Sequence, residues 1–145
     1  MTQIIPVQYS GRHKYGDFMW MILQPEYSKS LFIFNDNEEH HMTCKKGGGN
    51  AIMRQFNKYN SSYADYPRSA GIPTGTLKNG GYSKLDIETS NTINSAINEI
   101  TELIQTHSYD KIFYSSDANN MLGTYLFTVN SEVIKYITNE INKLI

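Results

Sequence analysis

The chain has 145 residues, 39% of them hydrophobic and 12% aromatic, enough for the single core that a domain of roughly 150 residues encloses and too short for two. Thirteen Lys and Arg against 14 Asp and Glu give a net charge of −1, which excludes the basic surplus needed to coat duplex nucleic acid. The single cysteine, Cys44, excludes an intrachain disulfide and a cysteine-built zinc cage, and no apolar run reaches the roughly 18–20 residues that span a bilayer. With polar Thr2 and Gln3 after Met1 in place of a secretory signal, the expectation is one cytoplasmic domain over residues 1–145.

Ile4 to Val7 is a short apolar run interrupted by Pro6, which suits an edge strand because proline cannot donate to a ladder. Arg12-His13-Lys14 reads as a basic, exposed turn. Phe18 to Leu23 and Leu31 to Phe34 are unbroken apolar runs between turn residues, the pattern of strands buried on both faces. Periodicity fades from Asn35 to about Asp86, where Gly47-Gly48-Gly49, a tract rich in tyrosine and asparagine from Asn57 to Tyr66, and Gly80-Gly81 follow one another. Short strands or turns are expected within it around Ala51–Phe56 and Ala70–Thr74. Ile93, Ile97, Ile100 and Ile104 share one helical face, with Ser90 or Asn91 as N-cap. Tyr109 to Tyr114 and Thr124 to Val129 read as strands. Val133, Ile137, Ile141 and Leu144 mark a terminal helix capped by Asn130 or Ser131, with Glu132 suited to the N-terminal dipole. The fold class expected is α+β (mixed α/β), a mostly antiparallel or mixed sheet packed with two amphipathic helices from the C-terminal half.

The chemistry concentrates where the second apolar run ends. Asn35, Asp36 and Asn37 follow Phe34, and a loop then leads to Gly47-Gly48-Gly49 and Asn50-Ala51-Ile52-Met53-Arg54. Consecutive glycines let backbone amides converge on an anion without Cβ interference. Asn35 and Asn37 can hydrogen-bond a base or ribose, Arg54 offers a fork for phosphate, and Lys45 and Lys46 add local positive charge. Glycines that only permit turns explain the triplet equally well. His40, His41 and Cys44 are the only metal-ligating types nearby, and two are adjacent in sequence and poorly placed to chelate together; no metal site is expected. Tyr82 after Gly80-Gly81 presents either an aromatic platform for a purine or a packing tyrosine, and Asn91 and Asn94 are expected at the first turn of the following helix, where polar groups meet a phosphate or base edge. Tyr59, Tyr63 and Tyr66 are surface aromatics or a flexible lid. The loop Asp117 to Thr124 follows a strand end, a common ligand position in α/β sheets, or is a simple connection.

Two resemblances rest on these residues. An apolar strand, Asn35-Asp36-Asn37, Gly47-Gly48-Gly49 and Asn50-Ala51-Ile52, in that order, resemble the phosphate-loop region of macrodomains over residues 31–54; the remaining pattern does not follow the macrodomain element order. A longer resemblance joins Phe32-Ile33-Phe34-Asn35-Asp36-Asn37, Gly47 through Arg54, Ser69-Ala70-Gly71-Ile72-Pro73-Thr74-Gly75, Gly81-Tyr82-Ser83-Lys84-Leu85-Asp86, the isoleucine-rich helix, and Tyr114-Ser115-Ser116-Asp117 with Leu122-Gly123-Thr124. This order resembles the phage Thoeris anti-defence sponge family. That resemblance implies a non-enzymatic protein that sequesters cyclic ADP-ribose isomers made by TIR-domain enzymes, without a cofactor, as a homodimer or in a hexamer of three dimers that also holds cyclic oligonucleotides. It implies Tyr82 as the base-stacking ring, Asn91 or Asn94 as its polar partner, Gly48, Gly49 and Asn50 as ligand-binding residues, Arg54 as a contact for the second ligand class, and Lys111 in place of an arginine missing near Ser108-Tyr109. The macrodomain resemblance implies instead an ADP-ribose-binding protein or ADP-ribosyl hydrolase.

Overall fold

The computed structural model describes residues 1–124 and 127–145. Its main sheet has four strands: β1 (Gln3–Gln8), β2 (Ser30–Asp36), β3 (Ser69–Pro73) and β6 (Lys111–Ser116), in the order β1-β6-β2-β3. Between β3 and β6 lies a two-stranded antiparallel hairpin of β4 (Gly75–Thr76) and β5 (Gly80–Gly81). The helices are α1 (Phe18–Met21), α2 (Ile87–Thr106) and α3 (Ser131–Asn142), with 3-10 helices at Pro25–Tyr27 and Gly49–Phe56.

The mixed α/β class expected holds, but all three pairings of the main sheet are parallel, with the antiparallel pairing in the β4–β5 hairpin, so the sheet is mostly parallel and not mostly antiparallel. Parallel neighbours need a connection that carries the chain back along the sheet, commonly a helix. Two such returns were hidden in the sequence. Residues 18–23 are not a strand: Asp17 caps a helix turn by accepting from the Met19 amide at 3.2 Å, and Phe18, Met21 and Ile22 are the buried residues, spaced i, i+3, i+4. Residues 49–56 form a 3-10 helix where short strands or turns were expected. With both returns restored, the strands run in one direction.

Two packed layers sandwich the sheet. Leu31 and Ile33 of β2, Ala70 and Ile72 of β3, and Ile112 and Tyr114 of β6 meet Ile93, Ala96, Ile100 and Leu103 of α2 and Val133, Ile137 and Ile141 of α3. The alternate residues Phe32, Phe34 and Phe113 face Phe18, Met21, Tyr27, Met53 and Phe56. This period-2 division buries all seven residues of β2, as a strand covered on both sides demands. β1 is an edge strand, as Pro6 suggested.

The long helices form as their isoleucine spacing predicts, but α2 starts earlier. Asp86, not Ser90 or Asn91, is the N-cap, accepting from the Thr89 amide at 2.8 Å. Asn130 caps α3 by accepting from the Glu132 amide at 2.8 Å. The strand expected over residues 124–129 does not form among the described residues, and Tyr125 and Leu126 lie outside them. Among the described residues no helix is long and apolar enough to cross a membrane.

Candidate functional site

Tyr9, Asn35 and Ser115 sit at or just beyond the carboxyl ends of three adjacent strands, β1, β2 and β6. All three line one cavity of about 730 Å³. Its walls are Phe18, Met19, Trp20 and Leu23 from α1 and the turn after it, and Ile52 and Met53 from the 3-10 helix, with Arg12, His13 and Asp17 completing the lining. Most of this lobe is apolar, and three aromatic rings contribute to it. Asp17 organises the rim: besides capping α1, it accepts from the His13 amide at 2.9 Å, which holds His13 at a positive φ of 58°.

A second lobe of about 300 Å³ opens beside the first and shares Asn35 and Asn50 with it. Its lining mixes polar and basic side chains (Asn37, His40, Lys45 and Lys46) with Gly47, Gly48 and the apolar Ala51, Leu77 and Phe127, and most of its surface is apolar. Between the lobes, the Asn50 side-chain amide donates to Asn35 Oδ1 at 2.7 Å and to Ser115 Oγ at 3.1 Å. The 3-10 helix begins at this junction. Its first internal bond runs from the Ala51 amide to the Gly48 carbonyl, so the Gly49 and Asn50 amides have no acceptor within the helix. Gly49 takes a φ of 57°, a conformation that costs glycine little. The cleft therefore joins an aromatic lobe, a glycine turn at the start of the 3-10 helix and a smaller, largely apolar lobe that also carries amide and cationic side chains.

Beneath the smaller lobe lies a charged cluster. Arg54 is almost wholly buried; its Nε donates to Asp36 Oδ1 at 3.0 Å, its Nη2 pairs with the same oxygen, and its Nη1 donates to the Lys45 carbonyl at 2.8 Å. The side that Asp36 Oδ2 presents holds His41 Nδ1 at 3.7 Å, and His41 Nε2 lies 3.3 Å from Glu99 of α2. Tyr59 donates to Glu99 at 2.6 Å. Burial works against charge on His41, but Asp36 and Glu99 outweigh it and push the imidazole up to about 9. Burial would likewise raise the Asp36 carboxyl; His41 and Arg54 beside it hold it below the usual range.

The sequence-predicted residues divide accordingly. Gly48, Gly49, Asn50, Asn35 and Asn37 come together in the cleft. Arg54 reaches its wall, but its guanidinium is committed to Asp36 and Lys45, so it supports the glycine turn and is not a free phosphate fork. Tyr82 lies elsewhere, half-buried against the aliphatic core; burial, then Glu38, pushes its phenol above the usual range. A ring packed this way is no open stacking platform. Asn91 and Asn94 fall in the second turn of α2, because the helix starts at Ile87, and Asn94 accepts from the Tyr136 hydroxyl to tie α2 to α3. Lys111 begins β6, at the sheet end opposite the cleft, with its ammonium 5.8 Å from the Tyr27 ring centre.

The tyrosine tract also packs as structure. Tyr63 meets Phe56 edge-on, and Tyr66 donates to the Ser108 carbonyl at 2.7 Å. The 117–124 loop closes on itself, with the Asn119 and Met121 amides donating to Asp117. Sequence reasoning missed the aromatic lobe: Tyr9, Phe18 and Trp20 carried the signal as apolar residues on both sides of a helical turn. Family models, curated proteins and solved structures give no match to this chain.

Proposed function

We propose that this protein binds an ADP-ribose-type nucleotide across the two lobes, with the base in the aromatic lobe, the diphosphate at the glycine turn and the distal ribose in the smaller lobe. The observation that carries the reading is the shared boundary of the lobes: Asn35, Asn50 and the Gly48–Gly49 turn stand between an aromatic wall and one that carries Asn37, His40, Lys45 and Lys46. Stacking on the partly exposed Trp20 favours a purine at roughly 1–3 kcal/mol. Free amides at a helix start favour a diphosphate, and Lys45 and Lys46 add charge. Asn37 and His40 offer donors and acceptors to a sugar. The macrodomain-like order over residues 31–54 supports the same ligand class.

Calorimetric titration with ADP-ribose tests it. Trp20→Ala is expected to weaken binding about 5- to 150-fold, the equivalent of one stacking contact, while Tyr82→Ala leaves the affinity of the folded protein within about twofold. The opposite ranking, or a flat titration of the wild type, overturns the assignment.

A second reading is the sponge role, retention of a cyclic ADP-ribose signal without cleavage, in a pocket closed by a second copy of the chain. What favours it is the open rim of the aromatic lobe, where Tyr9 is 50% and Leu23 72% exposed and a partner chain would complete the enclosure that tight retention needs. Heat-released ligand separates the fates: intact nucleotide supports retention, and a hydrolysed product supports the macrodomain-type enzyme.

A further inference from the structure

Loop 37–48 forms one wall of the smaller lobe, yet it contains no helix or strand. Something other than secondary structure must hold it. At its start the Asn37 amide donates to Asp36 Oδ1 at 2.8 Å and the His40 amide to Asn37 Oδ1 at 3.0 Å. At its far end the Lys45 carbonyl accepts from Arg54, and the Thr43 carbonyl accepts from the Asn57 side chain at 2.7 Å. In its middle the Glu39 carboxylate accepts from the Leu77 amide at 3.0 Å, and His41 is wedged between Asp36 of β2 and Glu99 of α2.

Asp36 thus holds both walls of the lobe. One oxygen takes Arg54, whose helix carries the glycine turn; the other faces His41, whose loop carries His40, Lys45 and Lys46. Both Asp36 Oδ2 and His41 Nδ1 are buried without a hydrogen bond, so their attraction rests on charge. We infer, building on the nucleotide reading above, that His41 is a positioning residue: its imidazolium fastens the loop wall of the smaller lobe to Asp36 and Glu99, and loss of its proton loosens the grip on the distal half of the ligand while sparing the base half.

The groups facing the imidazole are Asp36 from the sheet and Glu99 from α2. Behind them stand Arg54 on the 3-10 helix, and Lys58 and Tyr59 on the segment after it. A neutral imidazole between two carboxylates leaves both with one fewer counter-charge, and the buried Asp36 is left to Arg54 alone. The loop then loses its tie to Asp36 and Glu99 but keeps its two ends and the Glu39 contact with the Leu77 amide, so the predicted effect is local.

The experiment measures affinity for ADP-ribose, which would fill both lobes, and for AMP, which lacks the distal ribose, from pH 7.5 to 9.5. For the wild type, ADP-ribose affinity is expected to fall about two- to fourfold across this range relative to AMP affinity, fourfold being the most that one group titrating at about 9 can give. His41→Gln is expected to show the weaker ratio already at pH 7.5 and no further pH dependence of it. Glu99→Gln removes one of the two carboxylates while keeping the histidine, and is expected to move the inflection to lower pH; it serves as the arm that stands if His41→Gln does not fold. Parallel pH profiles for both ligands in the wild type, or an unmoved inflection in Glu99→Gln, overturn the inference alone. Absence of ADP-ribose binding by the wild type at pH 7.5 overturns the nucleotide reading and this inference with it.

Discussion

The two faces of the sheet are made of different residues and serve different ends. Against α2 and α3 the contacts are aliphatic and regular, with isoleucines, leucines and a valine at helical spacing meeting alternate strand residues. Against α1 and the 3-10 helix they are aromatic and methionine-rich, over elements of only four and eight residues. Long helices bury a continuous stripe and fix the fold. Short ones leave apolar side chains over, and here Met19, Trp20 and Leu23 line the cleft. The comparison teaches that the long-helix packing and the candidate site reside on opposite faces, joined at the carboxyl ends of the strands where ligands commonly sit in α/β sheets.

The largest test of that division is Ile100→Ala. Ile100 is 1% exposed at the centre of the aliphatic face, and truncating it should cost about 2–5 kcal/mol, the transfer and cavity cost of a buried isoleucine. Urea unfolding reads the loss, and nucleotide affinity below the transition should be unchanged. A comparable loss of affinity would show that the two faces are not separable.

A medium effect concerns the cluster that bridges the faces. His41 is raised from 6.5 to about 9 by Asp36 and Glu99. The folded state therefore binds the proton more tightly than the unfolded chain does. The stabilisation is complete below about pH 6.5 and is lost as pH rises through about 9. Unfolding free energy measured in urea should fall by about 1–3 kcal/mol between pH 6.5 and 9.5, and His41→Gln should flatten that slope. Asp36 and Glu99, both held low, act at the other end, where stability is lost as falling pH protonates them. An alkaline slope unchanged in His41→Gln would place its origin outside this cluster.

These tests also bear on how much was legible in the sequence. The aliphatic face was, because Ile93 and Ile100 or Val133 and Ile137 repeat at a period that only a helix satisfies. β2 was too, because Leu31 to Phe34 is a short unbroken apolar run between turn residues. The opposite face was not. Phe18 to Leu23 is apolar throughout, since one side packs on the sheet and the other walls a cavity, and a run without polar relief reads as a strand. Misreading that turn concealed the parallel topology and the aromatic lobe together. The amide and glycine pattern pointed to Asn35, Gly48, Gly49 and Asn50, which line one cleft. It did not show that Arg54 is held by Asp36 or that Tyr82 packs against the aliphatic core, because pairing and exposure are properties of the packed chain.

The finest test separates the glycine turn's place in the fold from its place in the site. Gly48 has a φ of −81°, open to any residue, and a Cβ added there meets nothing within 4 Å. Gly71 is its opposite: a Cβ would lie 2.5 Å from Asp36 Oδ2 and 3.0 Å from the Phe34 ring, so alanine there must disturb the charged cluster. Gly48→Ala should change stability by no more than about 0.5 kcal/mol, with reduced freedom of the unfolded chain acting in its favour. The added methyl nonetheless stands on the wall of the smaller lobe, where a diphosphate would approach the backbone. Affinity for ADP-ribose should then fall about tenfold, or about 1.4 kcal/mol, with the melting temperature unmoved. Wild-type affinity in Gly48→Ala would mean that the phosphates do not pass this turn, and the cleft would need a different occupant.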